Sequence, residues 1–366
     1  MRVAFISDWF APRKGGIESH LLGLARALNH AGHQVTAITP QPEARNIHAG
    51  VTVIPLAVPR LPKLDLAIPS GLTQAVANAL RAAAPDVVQV HASIVAPACL
   101  AGVRAAMNLG LPTVLTFHSD LRGLGPLVRL FDYIGSNALL SAVSAPICAQ
   151  IRAATGKPAI TLANGFDQAF WAQYAGHAHE GGDFHIVSAM RLVRKKRPQL
   201  LSGIARHVRA ATGRTVRLTV AGDGPSRITR TLGQEAQLPG WLGRDALAAL
   251  YRDADLFIQP ARHESFGIAA LEARAAGLPV IGREGTGLTS FIQSGVDGFL
   301  CASEQGMAQA AARVAMNAEL AARLSGPRPD LQRFDWPAIA QSHIAAYEDA
   351  AALRGGISHS RASLKL

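Results

Sequence analysis

The sequence predicts an α/β chain of two parallel-sheet domains. Three observations carry this. The length of 366 residues is about twice the usual domain. Strand-length apolar runs each end in a polar loop and lead into a helical pattern. One polar, glycine-containing break falls just after Tyr174, and the same series restarts beyond it.

The first series opens with a strand over 3–6, a loop through Gly15 and Gly16, and a helix from Ile17 that Gly32 stops. Further strands are expected at 35–39, 51–56, 87–90 and 113–117. The second series has strands at 184–189, 216–221, 256–259 and 280–281. Gly110 with Pro112, and Gly277 with Pro279, repeat one device: a left-handed glycine ends a helix and a proline blocks its continuation. The expected organisation is an N-terminal, acceptor-binding domain over 1–174, a linker at 175–183 and a nucleotide-sugar domain over 184–336. A final helix from about Pro337 to Leu353 packs back on the first domain, and a basic tail follows from Arg354.

Hydrophobic residues at 49% and charged residues at 17% exclude a disordered or fibrous chain. Cys99, Cys148 and Cys301 are odd in number and scattered, which suggests neither a disulfide framework nor a zinc site. The apolar run before Asp8 is too short for a signal peptide, and no run reaches the ~18 residues of a membrane span. The expected location is the cytoplasm, with peripheral attachment at the inner face of the membrane as its extension. Lys plus Arg exceed Asp plus Glu by 11, which calls for an anionic partner. Aromatics are only 5% and do not interleave with the cations, so phosphates or an anionic membrane face fit better than nucleic acid.

Ligands of such sheets bind at the carboxyl ends of strands, so two facing sheets hold the ligand in a central cleft. After the strand at 256–259 comes Glu264 on a loop, Gly267, a helix from Ile268, and Glu272 in its second turn. An unblocked first turn binds phosphates through its free N–H groups, and each carboxylate can accept two hydrogen bonds from a sugar or ribose. The alternative is a surface helix with solvated glutamates. The loop after 184–189 carries Arg191, Arg194, Lys195, Lys196 and Arg197, either a solvated run or a diphosphate clamp. Gly222 in Gly222-Asp-Gly224 lets the backbone approach a bound ligand closely, while Pro225 and Arg227 break any dinucleotide fingerprint.

These segments resemble the retaining glycosyltransferases of family 4, with GT-B architecture of two Rossmann-like domains, over nearly the whole chain. Similarity is strongest to the phosphatidylinositol N-acetylglucosaminyl- and mannosyltransferases in the double-glycine loop from Ser7 to His20. The resemblance implies that Glu264 contacts the donor sugar, Glu272 the ribose, and Arg191 and Lys196 the diphosphate. It implies donor or acceptor contacts for Gly15 and Gly16, and for Phe266, Gly267 and Ile268 at the helix tip. It places His118 by the sugar's anomeric centre and 6-hydroxyl. His91 is read either as structural or as lining the acceptor pocket. One departure is Ser290, where family members often carry glutamate.

The implied reaction is transfer of a hexose or N-acetylhexosamine, with retention, from a UDP- or GDP-sugar to a lipid-linked or glycan acceptor. The implied mechanism is front-face, the leaving oxygen taking the acceptor's proton. No resident cofactor or metal is expected, since fixed cations and a helix terminus can supply the charge that a divalent ion would otherwise bring. Two other readings are a catalytically weak sugar-nucleotide-binding partner subunit and a basic nucleic-acid binder. For membrane contact the candidate segments are 59–68 and the apolar stretch 121–140, with Arg122 and Arg129.

Overall fold

The structure is a computed structural model that describes residues 1–13, 15–46, 50–61, 66–175 and 182–362. It divides into two compact units, one of Met1–Phe166 with Phe334–Leu366, the other of Asp167–Arg333.

The first unit holds seven parallel strands: β1 (Arg2–Ile6), β2 (Gln34–Thr39), β3 (Thr52–Pro55), β4 (Val87–Ala92), β5 (Thr113–Phe117), β6 (Leu139–Ala142) and β7 (Ile160–Thr161). Their order across the sheet is β3-β2-β1-β4-β5-β6-β7. Alternate side chains supply opposite faces, Ala4 and Ile6 one core, Val3 and Phe5 the other. Both faces are covered, which explains why these strands read as continuous apolar runs.

The second unit repeats the plan with β8 (Phe184–Ala189), β9 (Val216–Ala221), β10 (Ala236–Gln237), β11 (Leu256–Ile258), β12 (Val280–Arg283) and β13 (Gly298–Cys301), ordered β10-β9-β8-β11-β12-β13. In each sheet the order reverses beside the first strand, so β1 lies between β2 and β4 and β8 between β9 and β11. In a sheet of this order a crevice opens at the strands' carboxyl ends beside the switch point, so each unit has its own. The glycines expected to end helices at 32, 110 and 277 all have positive φ.

Several elements differ from the sequence expectation. Residues 167–174, expected in the first domain, go with the second unit, because the helix Gln168–Ala172 buries Trp171 against Tyr251, with ring centroids 5.6 Å apart. Most of the expected linker, 176–181, lies outside the described residues, as do 62–65 of the segment 59–68. The final helix starts at Trp336 and runs to Ala362, past its expected end. Arg354 helps to hold it there, since its guanidinium lies over Gly110. The apolar stretch 121–140 is partly core: the helix Gly125–Ile134 buries Val128 and Phe131, and Leu140 enters β6. No helix among the described residues is long and apolar enough to cross a membrane.

Candidate functional site

In the second unit the switch point aligns the loop that leaves β8 with the loop that leaves β11. The β8 loop runs from Met190 through the short turn Arg194–Lys196, and two backbone hydrogen bonds strap it to the loop after β9: Met190 N–H to Ala221 O, 3.0 Å, and Leu192 N–H to Asp223 O, 2.8 Å. Gly222, at φ 129°, makes this strapping possible, because a Cβ there would sit 1.9 Å from Met190 O. Whereas the sequence reading expects a close approach to a ligand at Gly222, the approach seen here is chain to chain and shapes the basic loop from beneath.

So supported, Lys196 reaches the other loop, with Nζ 2.5 Å from Glu264 Oε2. Glu264 is 7% exposed and its Cγ lies against Gly267. Its carbonyl accepts the Gly287 N–H at 2.8 Å. Gly267 is the left-handed N-cap of the helix Ile268–Ala275, and no side chain caps that helix, which leaves its first-turn donors for an anion. Phe266, 1% exposed, anchors the loop beneath, with its ring 5.5 Å from that of Phe291. One end of the sheet therefore gathers Lys196, Glu264 and the start of the Ile268 helix.

Lys195 joins them. Partial burial and the charges of Lys196 and Arg191 push its ammonium below the usual lysine range, while Glu264 pulls it back. Lys195 thus feels two neighbouring cations and the Glu264 carboxylate. In the sequence Lys195 is one charge in a run, and nothing there separates it from its solvated neighbours.

Glu272 sits in the same helix, half-buried. Burial pushes its carboxyl up to about 8 against the pull of the Arg244 guanidinium. Arg244 opens the helix Arg244–Arg252, pairs with Asp167 at 2.6 Å and lies 3.6 Å over the Phe170 ring. The loop before that helix displays Trp241, 52% exposed, whose backbone N–H donates to Asp223 Oδ1 at 3.2 Å. Sequence reading passed over Trp241 because a lone tryptophan carries no spacing signal. Ser290 ends the turn Gly287–Ser290, and its carbonyl accepts from Arg333 at 3.1 Å.

In the first unit the β1 loop is stapled to the exit of β4. The buried Asp8 carboxylate accepts the N–H groups of Ala98 and Cys99 at 3.0 and 3.1 Å, at the start of the helix Pro97–Asn108. Gly15 caps the helix Gly16–His30, and the Glu18 carboxylate folds back over it, where a Cβ would lie 2.3 Å from Oε2. Arg13 approaches Glu18 at 3.5 Å and lies 3.7 Å over the Trp9 ring.

His118 follows β5, with its N–H on Ala92 O at 3.0 Å and its Nε2 3.0 Å from His91 Nδ1. The His20 ring, from the double-glycine helix, lies 5.6 Å from that of His118 and stacks on Trp336 at 5.8 Å. His91 is 1% exposed, so it lies beneath the surface and does not line a pocket. Burial depresses His20 to about 3 and holds His91, His118 and His343 well below the usual histidine range. No group of three or more His, Cys, Asp or Glu among the described residues is placed to hold a metal ion.

The family model "Glycosyl transferase 4-like domain" matches residues 15–155, and "Glycosyl transferases group 1" matches 170–325. A GDP-mannose-dependent alpha-mannosyltransferase of Mycolicibacterium smegmatis is 28% identical over 95% of this chain and 97% of its own. A phosphatidyl-myo-inositol mannosyltransferase of Propionibacterium freudenreichii is 26% identical over 77% and 76%. Among solved structures, sucrose-phosphate synthase from Thermosynechococcus elongatus superposes with a TM-score of 0.73 at 19% identity, covering 96% of this chain and 99% of that one. Anabaena HepE in complex with UDP and glucose gives 0.73 at 18%, over 95% and 99%. Fold and domain models agree across both units: the chain is a glycosyltransferase of GT-B architecture, with a glycosyl transferase 4-like domain followed by a group 1 glycosyltransferase domain.

Proposed function

We propose that the second unit takes a nucleotide-diphosphate sugar, GDP-mannose before others, and that the enzyme passes its hexose with retention to a lipid-linked or glycan hydroxyl. The observation that carries this is the ion pair of Lys196 with Glu264 beside an uncapped helix start, with Lys195 in the field of Lys196, Arg191 and Glu264. Such a cluster holds an excess of positive charge that a diphosphate neutralises, and it stabilises the leaving group as its charge grows. Glu264 then orients the sugar's hydroxyls and Glu272 holds the ribose. The base falls toward the Trp241 loop, where an exposed indole offers a face to a purine.

Fixed cations and helix amides supply the charge, so transfer proceeds without a divalent ion. The departing diphosphate oxygen takes the acceptor's proton on the face it leaves, which preserves the anomeric configuration. His118 contacts substrate from the first unit. The relatives named for GDP-mannose and phosphatidyl-myo-inositol support the donor and a lipid-borne acceptor. Exposed Leu130 and Tyr133 beside Arg129 and Arg104 support contact with an anionic membrane face.

Titration calorimetry with GDP, UDP and their sugars tests the donor reading. GDP binds more tightly than UDP, Lys196→Ala lowers turnover about a hundredfold or more, and a chelator changes nothing. Absence of nucleotide binding, or normal turnover in Lys196→Ala, overturns the reading.

A further inference from the structure

The first unit gathers four imidazoles in one cluster, the buried His20, His91 and His343 and the half-buried His118, of which only His118 has a part in the proposed transfer. Their hydrogen bonds assign the protons. Gln89 Oε1 accepts from the Tyr347 hydroxyl and lies 3.1 Å from His343 Nδ1, while Gln89 Nε2 donates to Thr116 Oγ1 at 3.0 Å, so His343 carries its proton on Nδ1. His20 Nδ1 accepts the Gly165 N–H at 3.2 Å, so its proton is on Nε2.

Along the 3.0 Å line between His91 Nδ1 and His118 Nε2 there is room for one proton. If His118 donates, His91 must carry its own proton on Nε2. That atom is buried with no partner, and an orphaned buried N–H is the rarer and costlier arrangement. If His91 donates, its Nε2 keeps only a lone pair, and the His118 proton moves to Nδ1. The His91 ring is held in place for this donation, since Phe5 meets it edge-on at 4.8 Å and its carbonyl accepts the Cys99 thiol at 3.2 Å.

We infer that His91 is a positioning residue, which donates from Nδ1 to His118 Nε2 and thereby fixes His118 as the Nδ1–H tautomer. His118 is half-buried, and its Nδ1 has no partner among the described residues. The site thus presents a neutral N–H donor, suited to a sugar hydroxyl oxygen, rather than a base. The other titratable groups facing the pair are His20, His343 and Tyr347, with Asp8 behind Cys99, and burial keeps the histidines uncharged. The inference rests on the proposed substrate contact of His118 and adds the source of its proton arrangement.

Nitrogen-15 spectra of the full chain labelled at histidine, with His118 assigned by loss in His118→Gln, read the tautomer directly. Wild type shows protonated Nδ1 and bare Nε2 at His118. His91→Leu shifts the proton to Nε2 and lowers kcat about ten- to a hundredfold with little change in donor KM. His91→Asn, whose amide N–H replaces Nδ1–H, restores tautomer and turnover to within a few-fold. A wild-type His118 protonated on Nε2, normal turnover in His91→Leu, or an Asn variant no better than Leu each overturns the inference. Normal turnover in His118→Gln removes the substrate role of His118 itself, whereas an inactive His118→Gln with a normal His91→Leu removes only the part given to His91.

Discussion

At the residue scale, the proposed ribose contact of Glu272 predicts a pH dependence for donor binding. In the free protein its carboxyl is held up at about 8, so it is mostly protonated at neutral pH. Ribose hydroxyls donate to the ionised form, so binding expels a proton below that value. Donor affinity therefore rises with pH toward about 8, at most about tenfold per pH unit, and levels off above it. Calorimetry from pH 6 to 9 reads this, and Glu272→Gln removes the slope; a Kd independent of pH in the native protein refutes the role. Much of this end of the second unit was legible. Lys196, Glu264 and the Ile268 helix start stand together because the loops bearing them follow adjacent strands. The sequence could not show that Gly222 is needed by the Met190 carbonyl, or that Gly15 is needed by the Glu18 carboxylate, because both close approaches join segments through folded geometry.

Among elements, the helix Gly125–Ile134 has two characters. Val128 and Phe131 turn inward, while Leu130 and Tyr133 are 43% and 82% exposed. Arg129 and Arg104 stand beside them with no carboxylate partner among the described residues, while Lys157 is paired with Asp132 at 2.7 Å. Arg122, which the sequence offered as a further cation for the membrane, is already held by Asp120 at 2.6 Å. Sedimentation with anionic vesicles is expected to pull the protein down at low salt, and Arg129→Glu with Tyr133→Ser to release it. Equal binding to neutral vesicles, or none, removes the membrane role. Most of the strands that sequence reading found are buried on both faces, while β3, which it also found, is a half-exposed edge strand. Of those it missed, β7 and β10 are two-residue pieces at sheet edges, too short to show a period, and β6 and β13 are strands of four residues.

For the whole molecule, the two units respond to pH in opposite senses. The four clustered histidines of the first unit are neutral when folded but take up protons near pH 6.5 when unfolded. Its stability therefore falls below that pH, by up to about 1.4 kcal/mol per histidine per pH unit. Glu272 acts the other way in the second unit: its raised carboxyl costs stability as pH climbs from 4.5 toward 8. Calorimetry at pH 7.5 and 5, with GDP added to mark the second unit's transition, should show the other transition moving down in acid. An unshifted first-unit transition would falsify the neutral-histidine assignment. The two-sheet plan was legible from its repeated grammar; the return of the last helix was legible in outline, and its reach was not.

That return governs how the protein is made. The first unit is not complete until Phe334 and the helix Trp336–Ala362 have been added, and Trp336, His343 and Tyr347 close over its histidines from the far end of the chain. On the ribosome the second unit can mature as soon as it emerges, while the segment synthesised first waits with its apolar seat for that helix uncovered. Order of synthesis and order of completion are therefore reversed, and a nascent chain released early would leave the half translated first as the half exposed to chaperones and proteases.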